Sequence, residues 1–383
     1  MGKKVCCILL AAVLFCMGQS TVYAQDIPYE GYTYDADKNE QAAPALYRPD
    51  GKEGFTEEET PVSLTDFYAY EGKLYVLDAA GSRVLVLDED MNLLESRTFY
   101  DENGEPVSFG QARGLFVCQA GIYISDTARF VVERFGWDGK RSMRYEKPLS
   151  AVYDDSVPFA VNKVVVDKGG NVYALVEGLY AGAVMFSEQG DFLGFYGPNE
   201  VEMTVEMLLD QSWKKLLTDE QKKAMSRFVP IAYTSFDIDD ENFIYTCSRN
   251  AINESTRVRR LNPSGKGLWD GKKLLFGDYI PESQWVSGLA NVSQIVDVDI
   301  SQEGVLAILD AARGRIFLYD KNGTLLGVFG GKGNQLGLVE EAAALECIRN
   351  HIYVLDGKNS DITRYARTEY GELFYQALAL YNS

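Results

Sequence analysis

Gly72-Lys73-Leu74-Tyr75-Val76-Leu77-Asp78 is followed, six residues beyond its Asp, by a second apolar run, Val84-Leu85-Val86-Leu87-Asp88. The phrase returns as Gly304-Val305-Leu306-Ala307-Ile308-Leu309-Asp310 with Ile316 to Asp320 behind it. It returns again as Asn350-His351-Ile352-Tyr353-Val354-Leu355-Asp356 with Ile362 to Tyr365 behind it. Looser copies are Gly121-Ile122-Tyr123-Ile124-Ser125-Asp126, Gly170-Asn171-Val172-Tyr173-Ala174-Leu175-Val176 and Glu241-Asn242-Phe243-Ile244-Tyr245-Thr246-Cys247. Near-continuous apolar runs of this length, bounded by Gly and Asn turns, read as strands covered on both faces. Asp78 and Asp126 are 48 residues apart and Asp310 and Asp356 are 46 apart, the period of a β-propeller blade.

Working outward, Phe192-Leu193-Gly194-Phe195-Tyr196-Gly197 and Thr324-Leu325-Leu326-Gly327-Val328-Phe329-Gly330 each follow a turn and mark fourth strands. Asn322-Gly323 and Gln189-Gly190 supply the positive φ that tight hairpins need. The unit is a four-stranded antiparallel meander, and six fit the chain, the last running from Ala343 to Tyr381. The expected fold is an all-β, six-bladed β-propeller over residues 63–383, preceded by a Tyr-rich extended leader over 25–62 that packs on it and is a candidate to supply a strand that closes it. One segment breaks the pattern: Val201, Val205, Leu208, Leu209, Trp213 and Leu216 approximate helical spacing, and Thr218-Asp219-Glu220-Gln221 is a capping box. This predicts a helical hairpin inserted over 200–228, between blades three and four, with Trp213, Lys214 and Lys215 on its surface. The Asp closing each phrase is expected to hold its turn through backbone hydrogen bonds. Arg83 and Arg315, five residues later, are expected to pair with it or with a neighbouring blade.

Lys3 and Lys4, the apolar stretch Val5 to Met17 and the small-residue site Val22-Tyr23-Ala24 read as a signal peptide over 1–24. The mature protein is expected outside the cytoplasm, secreted or at the cell surface, with no membrane insertion after cleavage. Of six Cys, Cys118, Cys247 and Cys347 remain after the leader, an odd and widely spaced set that is no disulfide framework. The formal charge is −19, and −21 once Lys3 and Lys4 are removed. Such a surface repels nucleic acid and leaves neutral, cationic or metal-ion partners open.

His351 is the only histidine and falls within a strand, so a multi-histidine zinc site cannot be built. The chain has no Gly-x-Ser-x-Gly elbow and no phosphate-binding Gly-rich loop with Lys. Carboxylates are abundant, and in a propeller the innermost strands line the channel. Asp66, Arg113, Asn162, Asp237 and Asp297 fall on those strands. The three Asp, with Asn162, can converge on Ca2+ or a polar ligand, and Arg113 can meet a carboxylate or sugar. Asp239-Asp240-Glu241 reads as a strand-end turn.

Gly72 to Asp78 followed by Gly81-Ser82-Arg83-Val84 resembles the NHL repeat, over residues 63 to 381 and chiefly in blades one, two, five and six. The leader and the insertion are similar to those of exported bacterial NHL-like propellers of clostridial type. That resemblance implies a non-catalytic binding or scaffold role toward an extracellular protein, peptide or glycan, or toward components of a solute-transport system. It also implies an alternative, a divalent-metal-dependent lactone or sugar-acid hydrolase of gluconolactonase type.

Overall fold

The computed structural model describes residues 27–52, 63–197, 232–249, 251, 254–280 and 292–382. The leader supplies β1 (Tyr32–Tyr34), β2 (Glu40–Ala42) and β3 (Tyr47–Lys52). Blade one is β4 (Leu64–Tyr70), β5 (Lys73–Asp78), β6 (Arg83–Leu87) and β7 (Leu93–Thr98). Blade two is β8 (Ala112–Cys118), β9 (Gly121–Asp126), β10 (Val131–Phe135) and β11 (Arg141–Tyr145). Blade three is β12 (Val161–Val166), β13 (Val172–Val176), β14 (Ala183–Phe186) and β15 (Phe192–Tyr196). Blade four shows three strands among the described residues, β16 (Ser235–Ile238), β17 (Ile244–Cys247) and β18 (Val258–Leu261). Blade five is β19 (Ile295–Ile300), β20 (Leu306–Asp310), β21 (Arg315–Tyr319) and β22 (Leu325–Gly330). Blade six has β23 (Ala342–Ile348), β24 (His351–Asp356) and β25 (Asp361–Arg367). Every pairing within a blade is antiparallel, and the chain is an all-β six-bladed propeller. The segments expected to be a signal peptide (1–24) and a helical hairpin (200–228), with Trp213, Lys214 and Lys215, lie outside the described residues.

The apolar runs are continuous because one strand serves two cores. In β5, Leu74 and Val76 pack with Tyr353, Leu355 and Ile362 of blade six. Tyr75 and Leu77, on the opposite face, pack with Leu115, Val117 and Ile124 of blade two. Side chains alternate across a strand, so a strand sandwiched between two sheets must be apolar at every position.

Blade six departs from the sequence reading, which runs it to Tyr381 on its own residues. Its fourth strand is β3 from the leader, paired antiparallel with β25 in the register Arg367↔Tyr47 to Thr363↔Lys52. Residues Glu369–Asn382 instead form α1. Thr368 Oγ1 accepts the Gly371 N–H at 3.0 Å, an N-terminal cap, and Glu369 and Glu372 lie in the first turn. The segment that follows has no β-branched residue to oppose the helix. Gly371 lies against the leader: a Cβ there would stand 2.1 Å from the Leu46 carbonyl oxygen.

The ends of the chain therefore lock together. Tyr47 stacks on Phe329 with ring centroids 5.1 Å apart, and its hydroxyl meets Tyr375 of α1 at 3.1 Å and Arg367 Nε at 3.2 Å. On the neighbouring blade, β1 extends the edge of β22. There the Tyr32 hydroxyl donates to Asp278, which also holds Arg315 at 2.7 Å.

The phrase-ending Asp residues hold turns. Asp78 Oδ1 accepts the N–H groups of Ser63 and Gly81, and Arg83 reaches Oδ2 at 2.9 Å. Asp126 accepts from Gly110, Gln111, Ala128 and Arg129. Asp356 accepts from Glu340 and Lys358. Arg83 thus pairs with its own Asp, and Arg315 pairs across to Asp278.

Tyr47 is 2% exposed and joins the leader, blade five and α1. Tyr47→Ala is expected to lower unfolding free energy by roughly 3–5 kcal/mol. Denaturant titration checks this, and a loss below about 1 kcal/mol would show that the leader strand does not close the ring.

Candidate functional site

The innermost strands β4, β8, β12, β16, β19 and β23 surround the channel. Each pairs on one side only, with the second strand of its blade, leaving a row of backbone N–H groups toward the next blade. A buried donor needs an acceptor. The acceptors are carboxylates of the preceding blade.

Asp66 of blade one accepts the Leu115 N–H of blade two at 2.8 Å. Asp297 of blade five accepts Leu345 N–H of blade six at 2.9 Å. Two residues further along, Asp237 accepts Ile300 N–H at 3.2 Å, Asp299 accepts Cys347 N–H at 2.5 Å, and Glu346 accepts Ala69 N–H at 3.0 Å. The last of these joins blade six to blade one. Where the carboxylate is ionised, as at Asp66, a hydrogen bond of this kind contributes about 1.5–3 kcal/mol.

The carboxylates form two tiers of opposite character. In the first, Asp66, Gly114, Lys163, Ser235, Asp297 and Ala344 are in equivalent register positions. Lys163 Nζ lies 2.6 Å from Asp66 Oδ1 and 3.6 Å from Asp297 Oδ1, and Ser235 Oγ donates to Asp297 Oδ1 at 2.5 Å. Burial opposes the Lys163 charge, but attraction to Asp297 and Asp66 outweighs it and holds the ammonium above its ordinary range. Burial pushes Asp66 up to about 6 against the pull of Lys163, which still leaves a carboxylate at neutral pH. Gly114 makes room for this arrangement: a Cβ there would meet Ser125 Oγ at 2.5 Å and the Asn162 carbonyl at 2.6 Å.

The second tier has no such cation. Asp237 (7% exposed), Asp299 (7%) and Glu346 (8%) are buried together, and among the described residues none forms a salt bridge. Burial raises all three carboxyl groups, those of Asp237 and Glu346 well above the ordinary range, and the neighbouring acids add to the effect on both. Asp237 and Asp299 are within hydrogen-bonding reach of each other, the arrangement in which one carboxyl retains a proton and donates it to its neighbour. Tyr68 faces the trio from β4, its ring 4.7 Å from that of Phe116.

This tier is the floor of a cavity of about 1450 Å³ at one channel mouth. Tyr68, Phe116, Cys118, Asp237, Asp299 and Glu346 border it. Its rim includes the Asp239 turn, where Oδ1 accepts the Glu241 and Phe243 N–H groups at 2.9 and 2.8 Å.

Of the residues picked from sequence, Asp66 and Asp297 converge, on Lys163. Asp237 belongs to the other tier. Arg113 and Asn162 fall at the register shifts between Ala112 and Gly114 and between Val161 and Lys163. Such a bulge adds one residue and reverses which side chains face the channel, so Gly114 and Lys163 take the first-tier positions and Arg113 is exposed. The positive charge that sequence analysis reserves for Ca2+ at Asp66, Asp237 and Asp297 is supplied at two of them by Lys163. The three form no open oxygen cage, and no group of three or more His, Cys, Asp or Glu among the described residues is arranged to hold a metal. Sequence reasoning passed over Lys163, Asp299 and Glu346. The repeat alignment held a signal for the last two, since both stand two positions after a first-tier residue. His351 lies on β24, 3.9 Å from Asp50. Cys118, Cys247 and Cys347 are free thiols, raised in pKa by burial.

No known family model matches the chain, and no curated protein matches it in sequence. Among solved structures, a protein of unknown function from Bacteroides thetaiotaomicron aligns at TM-score 0.50 and 12% identity, over 84% of this chain and 73% of that one. Virginiamycin B lyase from Staphylococcus aureus aligns at TM-score 0.47 and 10% identity, over 88% and 87%. The extracellular domain of a one-component system from B. thetaiotaomicron aligns at TM-score 0.47 and 10% identity, over 87% of this chain and 37% of that one. At these identities the likeness is one of fold. No helix among the described residues is long and apolar enough to cross a membrane.

A carboxyl whose pKa is raised on folding stabilises the native state fully below its unfolded value and loses that contribution as pH rises through its folded value. The unfolded values here are 3.8 for Asp and 4.5 for Glu. With Asp66 at about 6 and the second tier raised as well, thermal stability is expected to fall as pH climbs from about 5 to 8. Melting scans across that range check it, with Glu346→Gln giving a flatter profile. An increase of stability over the range would contradict the assignment.

Proposed function

We propose that the chain is an exported, non-catalytic binding propeller that recognises its ligand at the channel mouth. The observation that carries this reading is the cavity of about 1450 Å³, floored by side chains from five inner strands. Concave sites with a few convergent polar groups and perturbed carboxyls, set on rigid strands, are the usual form of a recognition site. The aromatic wall of Tyr68 and Phe116 supports it, as does the rim platform where Tyr70 and Trp137 stack at 5.9 Å. In this reading the leader directs export, NHL-type repeats build the scaffold, and the partner is an extracellular protein, peptide or glycan. A component of a solute-transport system is the partner suggested by resemblance. The insertion over 200–228 is a second candidate contact surface.

Glycan and peptide arrays probed with the purified protein and with Cys118→Trp, which fills part of the mouth, test this. Capture of a defined ligand by the parent and its loss in the variant is the expected result. Equal capture by both would move the binding site away from the channel.

A further inference from the structure

The second tier is anomalous among the buried carboxylates of this protein. Glu133 is 2% exposed and is held by Arg129 at 2.7 Å and Arg141 at 2.7 Å. Asp278 has Arg315 and Arg313, and Asp66 and Asp297 share Lys163. Asp237, Asp299 and Glu346 are as deeply placed and, among the described residues, have no cation partner. Around them stand Tyr68 from β4, Cys118 from β8, and Cys347 beside Glu346 on β23, with Lys163 and Asp297 in the tier beyond; β12 contributes the apolar Val166 to the cavity wall. Three rim cations are engaged elsewhere, Lys168 with Asp240 at 3.1 Å, Arg349 with Glu89 at 2.9 Å, and Arg260 over the Phe243 ring at 4.5 Å, and a fourth, Lys321, lines the cavity from the turn after β21.

A second observation lies in the cavity wall. The Tyr123 hydroxyl borders the cavity, is wholly buried, and completes no hydrogen bond, although Arg134 lies near it. Glu346 uses Oε2 for the Ala69 N–H, and no partner to Oε1 is found among the described residues. A buried hydroxyl without a partner is costly in a folded protein, and Glu346 Oε1 is left open to a donor from the cavity.

Resting on the binding role above, we propose that the channel mouth takes an organic ammonium ion, with a protonated amine seated among Asp237, Asp299 and Glu346. The site suits an alkylammonium: no group of three or more His, Cys, Asp or Glu among the described residues has a metal-holding arrangement, and the rings of Tyr68 and Phe116 favour a cation with an apolar stem. As the ammonium enters, a proton held by the trio leaves to solvent; no bond of the ligand is made or broken. Binding therefore strengthens as pH rises. The chemistry is shared by free polyamines and by lysine side chains.

Isothermal titration calorimetry with spermidine, with a Lys-Lys-Lys peptide and with its fully N-acetylated form tests the proposal. Titrations in two buffers of different protonation enthalpy read out proton release. We expect one amine probe to bind at 1:1 stoichiometry with proton release, about tenfold tighter at pH 8 than at pH 5.5, and the acetylated peptide not to bind. Which probe binds identifies the source of the amine. Glu346→Gln, which keeps an acceptor for Ala69, should weaken binding about tenfold or more and reduce proton release, and the rim variant Glu241→Gln should not. Asp299→Asn, checked for folding by circular dichroism, repeats the test at a second member. Absence of amine binding, binding without proton release, or equal binding by Glu346→Gln would overturn the proposal. If the arrays yield a neutral ligand lost in Cys118→Trp and both amines fail, this inference falls and the binding role stands.

Discussion

The innermost strand of a blade is an edge strand turned toward its neighbours, and its free N–H groups must be bonded within a crowded ring. Five carboxylates perform this task, each reaching from one blade to the backbone of the next: Asp66 to Leu115, Asp237 to Ile300, Asp297 to Leu345, Asp299 to Cys347 and Glu346 to Ala69. The contact at Ala69 crosses the junction where the first and last blades meet, while β3 completes the last blade at its outer edge. Hydrophobic packing between blades is extensive but non-directional. These bonds add direction, since they fix the level at which one inner strand stands against the next.

That solution creates a second problem, a concentration of negative charge in a low-dielectric channel. The two tiers resolve it differently. Lys163 bridges Asp66 and Asp297, offsetting one of their two charges in a compact internal triad. The other tier is left to proton uptake, beneath a cavity large enough for a ligand. A structural ring and a recognition site thus share one set of residues, and the difference between them is a single lysine.

Much of the architecture was legible in the sequence. The run Leu74 to Leu77 is apolar at every position because it faces two blades, and Asp78, Asp126 and Asp356 recur because each turn needs the same acceptor. Two features were not legible. That the leader could supply a closing strand was legible, but not which residues: the pairing of Tyr47–Lys52 with β25 spans more than three hundred residues and leaves no local signal, and the helix α1 fills the place where a strand was expected. At the site, a one-residue register shift recurs in β4, β8, β12, β19 and β23; Asp66 and Asp297 stand just past it, whereas Arg113 and Asn162 were taken one position short of Gly114 and Lys163. Periodicity carries no information about a bulge until the partner strand is known.

The central claim is that negative charge in the second tier is balanced by protons. Infrared spectroscopy of the carboxyl stretch, comparing the parent chain with Asp237→Asn and Glu346→Gln at pH 7, addresses it directly. The account predicts a protonated-carboxyl band in the parent that diminishes in either variant. A parent spectrum at pH 7 in which every carboxyl group is ionised would contradict it.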